Sequence, residues 1–546
     1  MRAFWTGAAA LFGLLAAPAA GQPFVFYRGV VNAASFAAPG LPSGALARGS
    51  IFSVFGKNLG PAGGASVSEF PLQTTLAGVG VEVCRDGACA AALPLYVGAG
   101  QINAVLPSDA PLGAASVRVT VDGAASNWAP VEVTAASFGA FAVNSGGFGP
   151  GIVQNFVSQT EQPLNSKAES LRPGQAATLW GTGLGAALNA DNVAPEPGNL
   201  PTPVEVHVGG AKVSRLLYAG RSPCCAGVDQ IVFEVPADAP EGCYVPLSVT
   251  AGGVVGNVTT VAVSAEGGAC SEEGPLSSLA GGGRTALLAL SKLRFAPSAS
   301  AGLGAEAQLD YANALFLETP SGPWSYNRLY ALPPVGACQV HGFGGNVLRP
   351  GALARQLQAA GDLTPMATVG AGAVAVALDA ARGAAAALGR LVGVAPDAFP
   401  TDAPFYQEGG SYPVSTSDPA VSGEATVPAG LTWTNRDEAA TVPRGRDLTI
   451  RWSGATRDRV YVVGFSADEP RGASAIFVCA ADAAAGQWSV PARVLSALPA
   501  SSKIDGQSWG GLMVGEVFPQ GALSAEGIAA GALLSAGAEG REASFQ

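Results

Sequence analysis

The chain has 546 residues, too many for one hydrophobic core, so roughly three to five domains are expected. Only 13% of the residues are charged and the net charge is −11, without any run of Lys or Arg. This composition argues against a nucleic-acid partner and against a polybasic membrane anchor.

Residues 1–21 have the anatomy of a secretory signal peptide. Arg2 gives a short positive region, an apolar stretch runs from Ala8 to Ala17, and small residues precede Gln22. The stretch is shorter than the about 20 apolar residues that a membrane-spanning helix needs. The sequence therefore predicts a secreted or cell-surface, extracytoplasmic protein with no membrane span after signal cleavage.

An internal repeat dominates the first half of the chain. The phrase GQINAVLP at 100–107 returns as DQIVFEVP at 229–236, and Gln101 maps to Gln230 with an offset of 230 − 101 = 129. The upstream segments FGKNLG and VEV return as WGTGLG and VEV. We expect Ile102 and Ile231 in the core, and Gln101 exposed or bonded to a neighbouring loop. The second copy has a seven-residue insertion before Gln230, which predicts a surface loop.

Each copy consists of short alternating runs separated by Gly and Pro turns, which is typical of a β-sandwich or barrel. At about 100 residues per unit, an immunoglobulin-like sandwich fits best. The predicted repeats are 28–141 and 142–270, and their shared glycines are expected where the backbone takes positive φ.

The cysteines agree with an oxidising compartment. Cys84 and Cys89 flank the turn signal Asp86-Gly87, which predicts a hairpin closed by a disulfide. Four more cysteines predict two bridges of unknown pairing, with the adjacent pair the least expected on steric grounds: Cys224, Cys225, Cys243 and Cys270. The state of Cys338 and Cys479 is open, because they lie far apart in sequence.

The repeat motif resembles a family of secreted Acidobacteria proteins of the Solibacter type, whose repeats look like IPT/TIG immunoglobulin-like domains. The match covers about residues 28–270 and is carried by Gly56, Asn58, Leu59, Gly60, Gln101, Ile102, Asn103 and Pro107. The second copy departs from the motif at Gly183 and Val232, which stand where the first has Asn58 and Asn103. The resemblance implies a fold and no activity, so it assigns no functional residue.

The second half of the chain is read from shorter patterns. Residues 271–284 predict a linker and 285–425 a β-rich central domain, for which a small helical insert around 352–391 is the alternative. Residues 431–546 predict a C-terminal immunoglobulin-like domain with Trp452 in its core. The fold class predicted for the whole chain is all-β, with serial immunoglobulin-like β-sandwich domains.

Residues that carry catalysis are sparse. His207 and His341 are the only histidines and stand apart from any metal-binding or triad motif, and no phosphate-binding or dinucleotide-binding fingerprint occurs. The sequence predicts no metal, no cofactor and no enzyme. A hydrolase hidden in 285–425 is the least favoured alternative, and its candidate carboxylates are Asp310, Glu318, Asp402 and Glu408.

We therefore predict a secreted, non-enzymatic protein for adhesion or binding to extracellular polysaccharide or cell-surface protein, with a purely structural spacer as the alternative. Binding is expected at sandwich loops by analogy of fold. The aromatic side chains nearest to predicted loops are Trp128, Trp324 and Trp509.

Overall fold

The computed structural model describes residues 21–296, 306–347, 349, 352–361, 375–376, 406–417, 420–504 and 507–546. The signal peptide predicted at 1–21 lies outside the described residues except for its last position. The described chain is all-β, as the sequence predicts, with a few short helices. In these ranges no helix has the length and apolar character needed to cross a membrane.

The first repeat is a sandwich of two sheets. One sheet has the strand order β1-β3-β9-β8-β4, and the other has β2-β12-β10-β6-β5 with β7 on β6 and β11 on β10. The strands are β1 Phe24–Asn32, β2 Leu46–Ala47, β3 Ile51–Lys57, β4 Ala65–Ser66, β5 Thr75–Leu76, β6 Val79–Arg85, β7 Ala88–Ala91, β8 Leu93–Val97, β9 Gln101–Val105, β10 Gly113–Val121, β11 Ala124–Ala125 and β12 Ala129–Thr134.

The second repeat has the same plan. Its sheets are β13-β15-β20-β19-β16 with β14 on β15, and β18-β17-β21-β22 with β23 on β21. The strands are β13 Gly139–Ala140, β14 Val153–Asn155, β15 Ala176–Thr182, β16 Gly198–Asn199, β17 Val204–Val208, β18 Ala211–Lys212, β19 Leu216–Arg221, β20 Asp229–Glu234, β21 Gly242–Ala251, β22 Val254–Val255 and β23 Thr259–Val263.

The repeated phrase forms the equivalent central strands β9 and β20. Ile102 and Ile231 are both fully buried, as expected, because alternate residues of these strands face the space between the two sheets. Gln101 is half-buried, and its Nε2 donates to Oδ1 of Asn103 at 2.9 Å. It therefore bonds within its own strand and not to a neighbouring loop.

Positive φ explains the matching glycines, and also one mismatch. Gly123 and Gly252 occupy the same turn of the two repeats with φ of 86° and 58°. Asn58 has φ 54° where the second repeat has Gly183 with φ 110°. Asn is the residue that tolerates the left-handed region best after Gly, so the two copies keep one backbone shape with different residues.

The inserted loop of the second repeat packs against the first repeat, which corrects the prediction of a surface loop. Only its tip, residues 223–225, is exposed. Ala226 is buried in an apolar cluster with Ile51 and Val105 of the first repeat. Thr182 Oγ1 links the same elements, because it accepts from the Ile51 amide at 2.8 Å and donates to the Gly227 carbonyl at 2.5 Å.

A buried ion pair closes this junction. Nη1 of Arg221 lies 2.7 Å from Oδ1 of Asp229, with side-chain exposures of 2% and 0%. Oδ2 of Asp229 accepts from the amides of Gly183 and Leu184 at 2.7 and 2.8 Å. Burial raises the pKa of Asp229 to about 6, although Arg221 and the two amides act in the opposite direction.

The second half of the chain is built around one seven-stranded sheet with the order β25-β24-β39-β38-β33-β34-β26. Its smaller sheets are β27-β28-β29, β30-β32-β35, β31-β40 and β36-β37. The strands are β24 Gly283–Phe295, β25 Ala307–Thr319, β26 Cys338–Gly344, β27 Ala375–Val376, β28 Ser411–Ser417, β29 Ala420–Thr426, β30 Thr432–Trp433, β31 Thr441–Val442, β32 Leu448–Ser453, β33 Arg459–Asp468, β34 Ala473–Asp482, β35 Gln487–Val490, β36 Lys503–Ile504, β37 Gln507–Ser508, β38 Gly510–Ala522, β39 Ala530–Glu542 and β40 Ser544–Phe545. The helices are α1 Ala352–Ala359 and α2 Ala492–Ser496, with single 3-10 turns at Ser277–Leu279, Arg436–Ala440 and Ala483–Ala485.

The large sheet joins segments that the sequence divides between two domains. Strands β24, β25 and β26 come from the predicted central domain, whereas β33, β34, β38 and β39 come from the predicted C-terminal domain. The predicted linker at 271–284 contains the buried side chains Leu276 and Leu279. Trp452 lies on β32 and is buried in the core as predicted, with Nε1 donating to the Ala483 carbonyl at 2.9 Å.

The eight cysteines form four bridges. Cys84 and Cys89 face each other on the hairpin β6–β7 and are bonded, as the turn signal predicts. The other bridges are Cys224–Cys225, Cys243–Cys270 and Cys338–Cys479. The expectation against the adjacent pairing was wrong, because the exposed tip of the inserted loop brings those two sulfurs together. Cys338–Cys479 links neighbouring strands β26 and β34 across a separation of 141 residues.

Candidate binding groove

A groove of about 740 Å³ lies between the first repeat and the C-terminal part of the chain. One wall comes from β1, from β12 and from the loop at 39–46; the other comes from Arg444 and from residues 470–471 and 499–500. Leu41, in the loop at 39–46, packs into the hydrophobic core of the C-terminal part. This contact holds the two walls of the groove together. The Arg28 side chain crosses between the walls and donates to the Gly472 carbonyl at 2.5 Å.

Three arginines give the groove a positive lining in an acidic chain. Arg28 and Arg444 bond only to main-chain carbonyls, those of Gly472 and Leu498, and pair with no described carboxylate. Arg471 is mostly exposed and lies 3.5 Å from a carboxylate oxygen of Asp468. Burial, and secondly the positive charge of Arg471, lower the pKa of Arg444, which indicates that these two guanidinium groups are close to each other.

A single acidic residue stands among the groove's lining residues. Glu132 is exposed on β12 and makes no ion pair with any residue in the described ranges. Asp468 lies outside the lining but pairs with Arg471, so the two uncompensated cations are Arg28 and Arg444. With Glu132 they leave the groove a small net positive charge, which favours an anionic ligand.

Aromatic side chains extend from the mouth of the groove. Tyr27 is 79% exposed, and the Arg28 guanidinium carbon lies 5.1 Å from its ring centroid. Phe24 and Phe26 stand exposed on the same strand, with ring centroids 6.4 Å apart. Three exposed rings within the four residues 24–27 make the start of β1 a candidate interaction surface.

Of the three predicted tryptophans, only Trp128 lies beside this surface. Its neighbour Asn127 bonds both main-chain groups of Val25 in β1, at 2.9 and 3.1 Å. Trp128 directly precedes β12, three residues of which line the groove, namely Pro130, Val131 and Glu132. Trp128 is 44% exposed, and Arg118 covers one face of its ring at 4.4 Å.

The other two tryptophans are placed differently. Trp324 is 39% exposed, but its Nε1 donates to the Asn165 carbonyl at 2.9 Å and so anchors the loop at 320–329 to the second repeat. Trp509 is half-buried between β37 and β38. Neither lines the groove.

A second cavity of about 350 Å³ lies where both repeats meet β26 and α1. The Arg328 guanidinium is held there between the rings of Phe148 and Phe343, at 4.1 and 5.3 Å from their centroids. Burial, and then the charge of Arg328, lower the pKa of His341 to about 3, so this imidazole is neutral. Ser35, Ser43, Asn257 and Gln356 also line the cavity, and no Asp, Glu or Lys is among its described lining residues.

Two of the carboxylates considered for a hydrolase, Asp310 and Glu318, are too far apart to form a facing pair. Asp310 and Glu318 both lie on β25, and 318 − 310 = 8 residues span about 26 Å, against roughly 5–10 Å for a glycosidase pair. Asp310 is buried, accepts from the Tyr406 amide at 2.6 Å and lies 3.9 Å from Nζ of Lys292. Glu408 is paired with Arg294, and Asp402 lies outside the described residues.

One group of side chains in the described ranges has metal-like geometry, namely Glu82 with Cys84 and Cys89. Both sulfurs are bonded to each other, so no thiolate is available to bind a metal ion.

The sequence carried part of the signal for the groove. The run FVFYRG puts three aromatic residues and an arginine into six positions at the start of β1, and all three of these aromatic residues are exposed. Arg444 and Arg471 lie more than 400 residues further along the chain, so only the folded structure brings them to Arg28.

No family model matches the chain, and no curated protein is similar to it. Solved structures with local likeness include domains 5-6 of the S-layer protein SbsC, at 12% identity and a TM-score of 0.14, covering 44% of this chain and 98% of that one. SGBP-B from a complex xyloglucan utilization locus in Bacteroides uniformis has 11% identity and a TM-score of 0.15, covering 89% of each chain. Gamma-CGTase from alkalophilic Bacillus clarkii has 11% identity and a TM-score of 0.16, covering 51% of this chain and 36% of that one. At these TM-scores the likenesses carry no argument about this chain.

Proposed function

We propose that this protein is a non-enzymatic, extracytoplasmic polysaccharide-binding protein, and that the groove between the first repeat and the C-terminal part is its binding site. The observation that carries the proposal is the exposed Tyr27 at the mouth of an open groove that polar and charged groups line. Ring faces supply rigid apolar area for the apolar face of a sugar, and arginines supply hydrogen-bond donors for its oxygens.

The extracytoplasmic location is supported by the four disulfides, since such bridges persist in oxidising compartments. The resemblance to secreted Solibacter-type proteins points in the same direction. Among the described candidate carboxylates, Asp310 and Glu318 are separated along β25 and Glu408 is ion-paired, which favours binding over catalysis.

The test is retention of the full-length secreted chain on immobilised plant and bacterial polysaccharides. Tyr27→Ala is expected to weaken binding by about ten-fold or more, as removal of an exposed aromatic anchor does, and Trp128→Ala by a smaller factor. Tyr96→Ala is the matched control, because Tyr96 is a 37% exposed tyrosine of the same repeat that does not line the groove. Failure to bind any glycan overturns the proposal and favours a structural spacer.

A further inference from the structure

Resting on the proposed function, we infer that the groove selects acidic polysaccharides whose sugars carry carboxylate groups, and that Arg28 and Arg444 are the residues that recognise the carboxylates. The inference starts from charge. The chain as a whole carries −11, yet the groove holds Arg28 and Arg444 without a carboxylate partner among the described residues, beside Glu132 and the paired Arg471 and Asp468.

The two recognition arginines are held in place without being neutralised. Each bonds a main-chain carbonyl, which fixes the side chain but leaves its charge uncompensated. Nε of Arg444 is also buried with no hydrogen-bond partner among the described residues. A guanidinium group with free donors is the natural partner of a carboxylate, because its planar fork matches the two carboxylate oxygens.

The adjacency of Tyr27 and Arg28 fits a carboxylated sugar better than a simple anion. The Arg28 guanidinium carbon lies 5.1 Å from the Tyr27 ring centroid, and 79% exposure leaves much of the Tyr27 ring open. A sugar stacked on Tyr27 places a carboxylate of its own ring within reach of Arg28. Arg444 lines the same groove and supplies donors for a second carboxylate along the polymer.

Substitution of Glu132 tests the inference through an expected increase in affinity for an acidic polysaccharide. It is the groove's acidic lining residue and has no ion-pair partner in the described chain, so its charge repels an acidic polymer. Glu132→Gln is expected to raise affinity for such a polymer by about two- to five-fold, the effect of removing one exposed like charge. Damage to the fold does not produce a gain of this kind.

The experiment compares binding of the full-length chain to polygalacturonate, to its methyl ester and to poly-L-glutamate by titration calorimetry. Polygalacturonate is expected to bind about ten-fold more tightly than the ester, with an advantage that shrinks as salt is added. Arg28→Gln and Arg444→Gln are each expected to remove most of that advantage, so that each variant binds polygalacturonate and its ester with similar affinity. If Arg444→Gln does not fold, Arg471→Gln replaces it as the test variant, because Arg471 is an exposed arginine of the same groove. Arg215→Gln, an exposed arginine of the second repeat, is the matched control.

The outcomes separate the two proposals. Equal binding of polygalacturonate and its ester overturns the preference for carboxylates and leaves the proposed function standing. Absence of binding to both glycans by a chain that another polysaccharide retains overturns the inference alone, and absence of binding to every polysaccharide overturns both. Equal binding of poly-L-glutamate identifies the groove as a site for acidic chains in general and overturns the assignment to a sugar. An increase in affinity with Glu132→Gln on polygalacturonate alone supports the inference.

Discussion

Breaking the Arg221–Asp229 pair is expected to destabilise the junction of the two repeats more than any exposed ion pair does. Asp229→Ala leaves the Arg221 charge buried and removes the acceptor of two buried amides, which are 2.7 and 2.8 Å from the carboxylate. Loss of one partner from a buried pair costs about 3–5 kcal/mol. For a unit of about 150–250 residues this corresponds to a fall in Tm of roughly 6–20 °C.

Differential scanning calorimetry of the full chain measures this change, in the transition that contains the two repeats. The matched control is Glu234→Gln, which breaks the exposed pair of Glu234 with Arg215 on the same two-stranded segment. That change is expected to cost less than about 1 kcal/mol. The double variant Arg221→Met with Asp229→Asn removes both charges but retains an acceptor for the amides, so it is expected to recover much of the loss.

Two results contradict this reasoning. An Asp229→Ala transition within about 2 °C of the wild type means that water or a rearranged chain solvates Arg221, and that the pair is not buried in solution. A double variant as unstable as the single one means that the cost comes from the local backbone and not from the uncompensated charge.

The remaining predictions concern other parts of the fold. Replacing Cys338 and Cys479 by serines is expected to lower the free energy of unfolding by about 5 kcal/mol, against about 2 kcal/mol for the hairpin bridge of the first repeat, because the loops closed are 141 and 5 residues long. Equal losses for the two bridges in guanidinium-induced unfolding contradict this. Gly183→Ala places a Cβ 2.2 Å from the Ser137 carbonyl at φ 110°, so its Tm is expected to fall by several degrees, and an unchanged Tm refutes the clash. Burial raises the pKa of Glu272 from 4.5 to about 7, so its stabilising effect is complete below pH 4.5 and is lost as the pH rises through 7. Glu272→Gln is expected to flatten the dependence of stability on pH between those values, and an unchanged slope contradicts the assignment.

The fold of the repeats could be predicted because its signals are local. Strand alternation, the Asp86-Gly87 turn and the matching glycines each depend on residues a few positions apart. The large sheet of the second half could not, because its central pairing of β24 with β39 is parallel and joins residues about 245 positions apart (530 − 285). Neither alternation nor turn residues indicate which distant strand becomes a partner.

The candidate groove could be predicted from the sequence only in part, because it also depends on contacts between distant segments. Trp128 and the aromatic start of β1 were visible as residue types, but exposure depends on what packs over them. Trp324 has a similar setting among Gly and Pro residues, yet a hydrogen bond to the second repeat holds it in a structural position. Residue type and local context do not distinguish an anchor of a loop from a binding aromatic.

The junction of the two repeats is formed by features that the first repeat lacks, namely Asp229 and the inserted loop. In the first repeat, the Leu59 amide donates to the Ala99 carbonyl at 3.0 Å across a tight turn between β8 and β9. In the second repeat, the equivalent Leu184 amide donates instead to the Asp229 carboxylate. Because the Asp229 carboxylate accepts this hydrogen bond, the connection between β19 and β20 does not need the tight turn of the first repeat and can be longer. Its seven extra residues reach the first repeat, where Ala226 packs beside Ile51, so Asp229 and the insertion together give the second repeat an interface where the first has a turn.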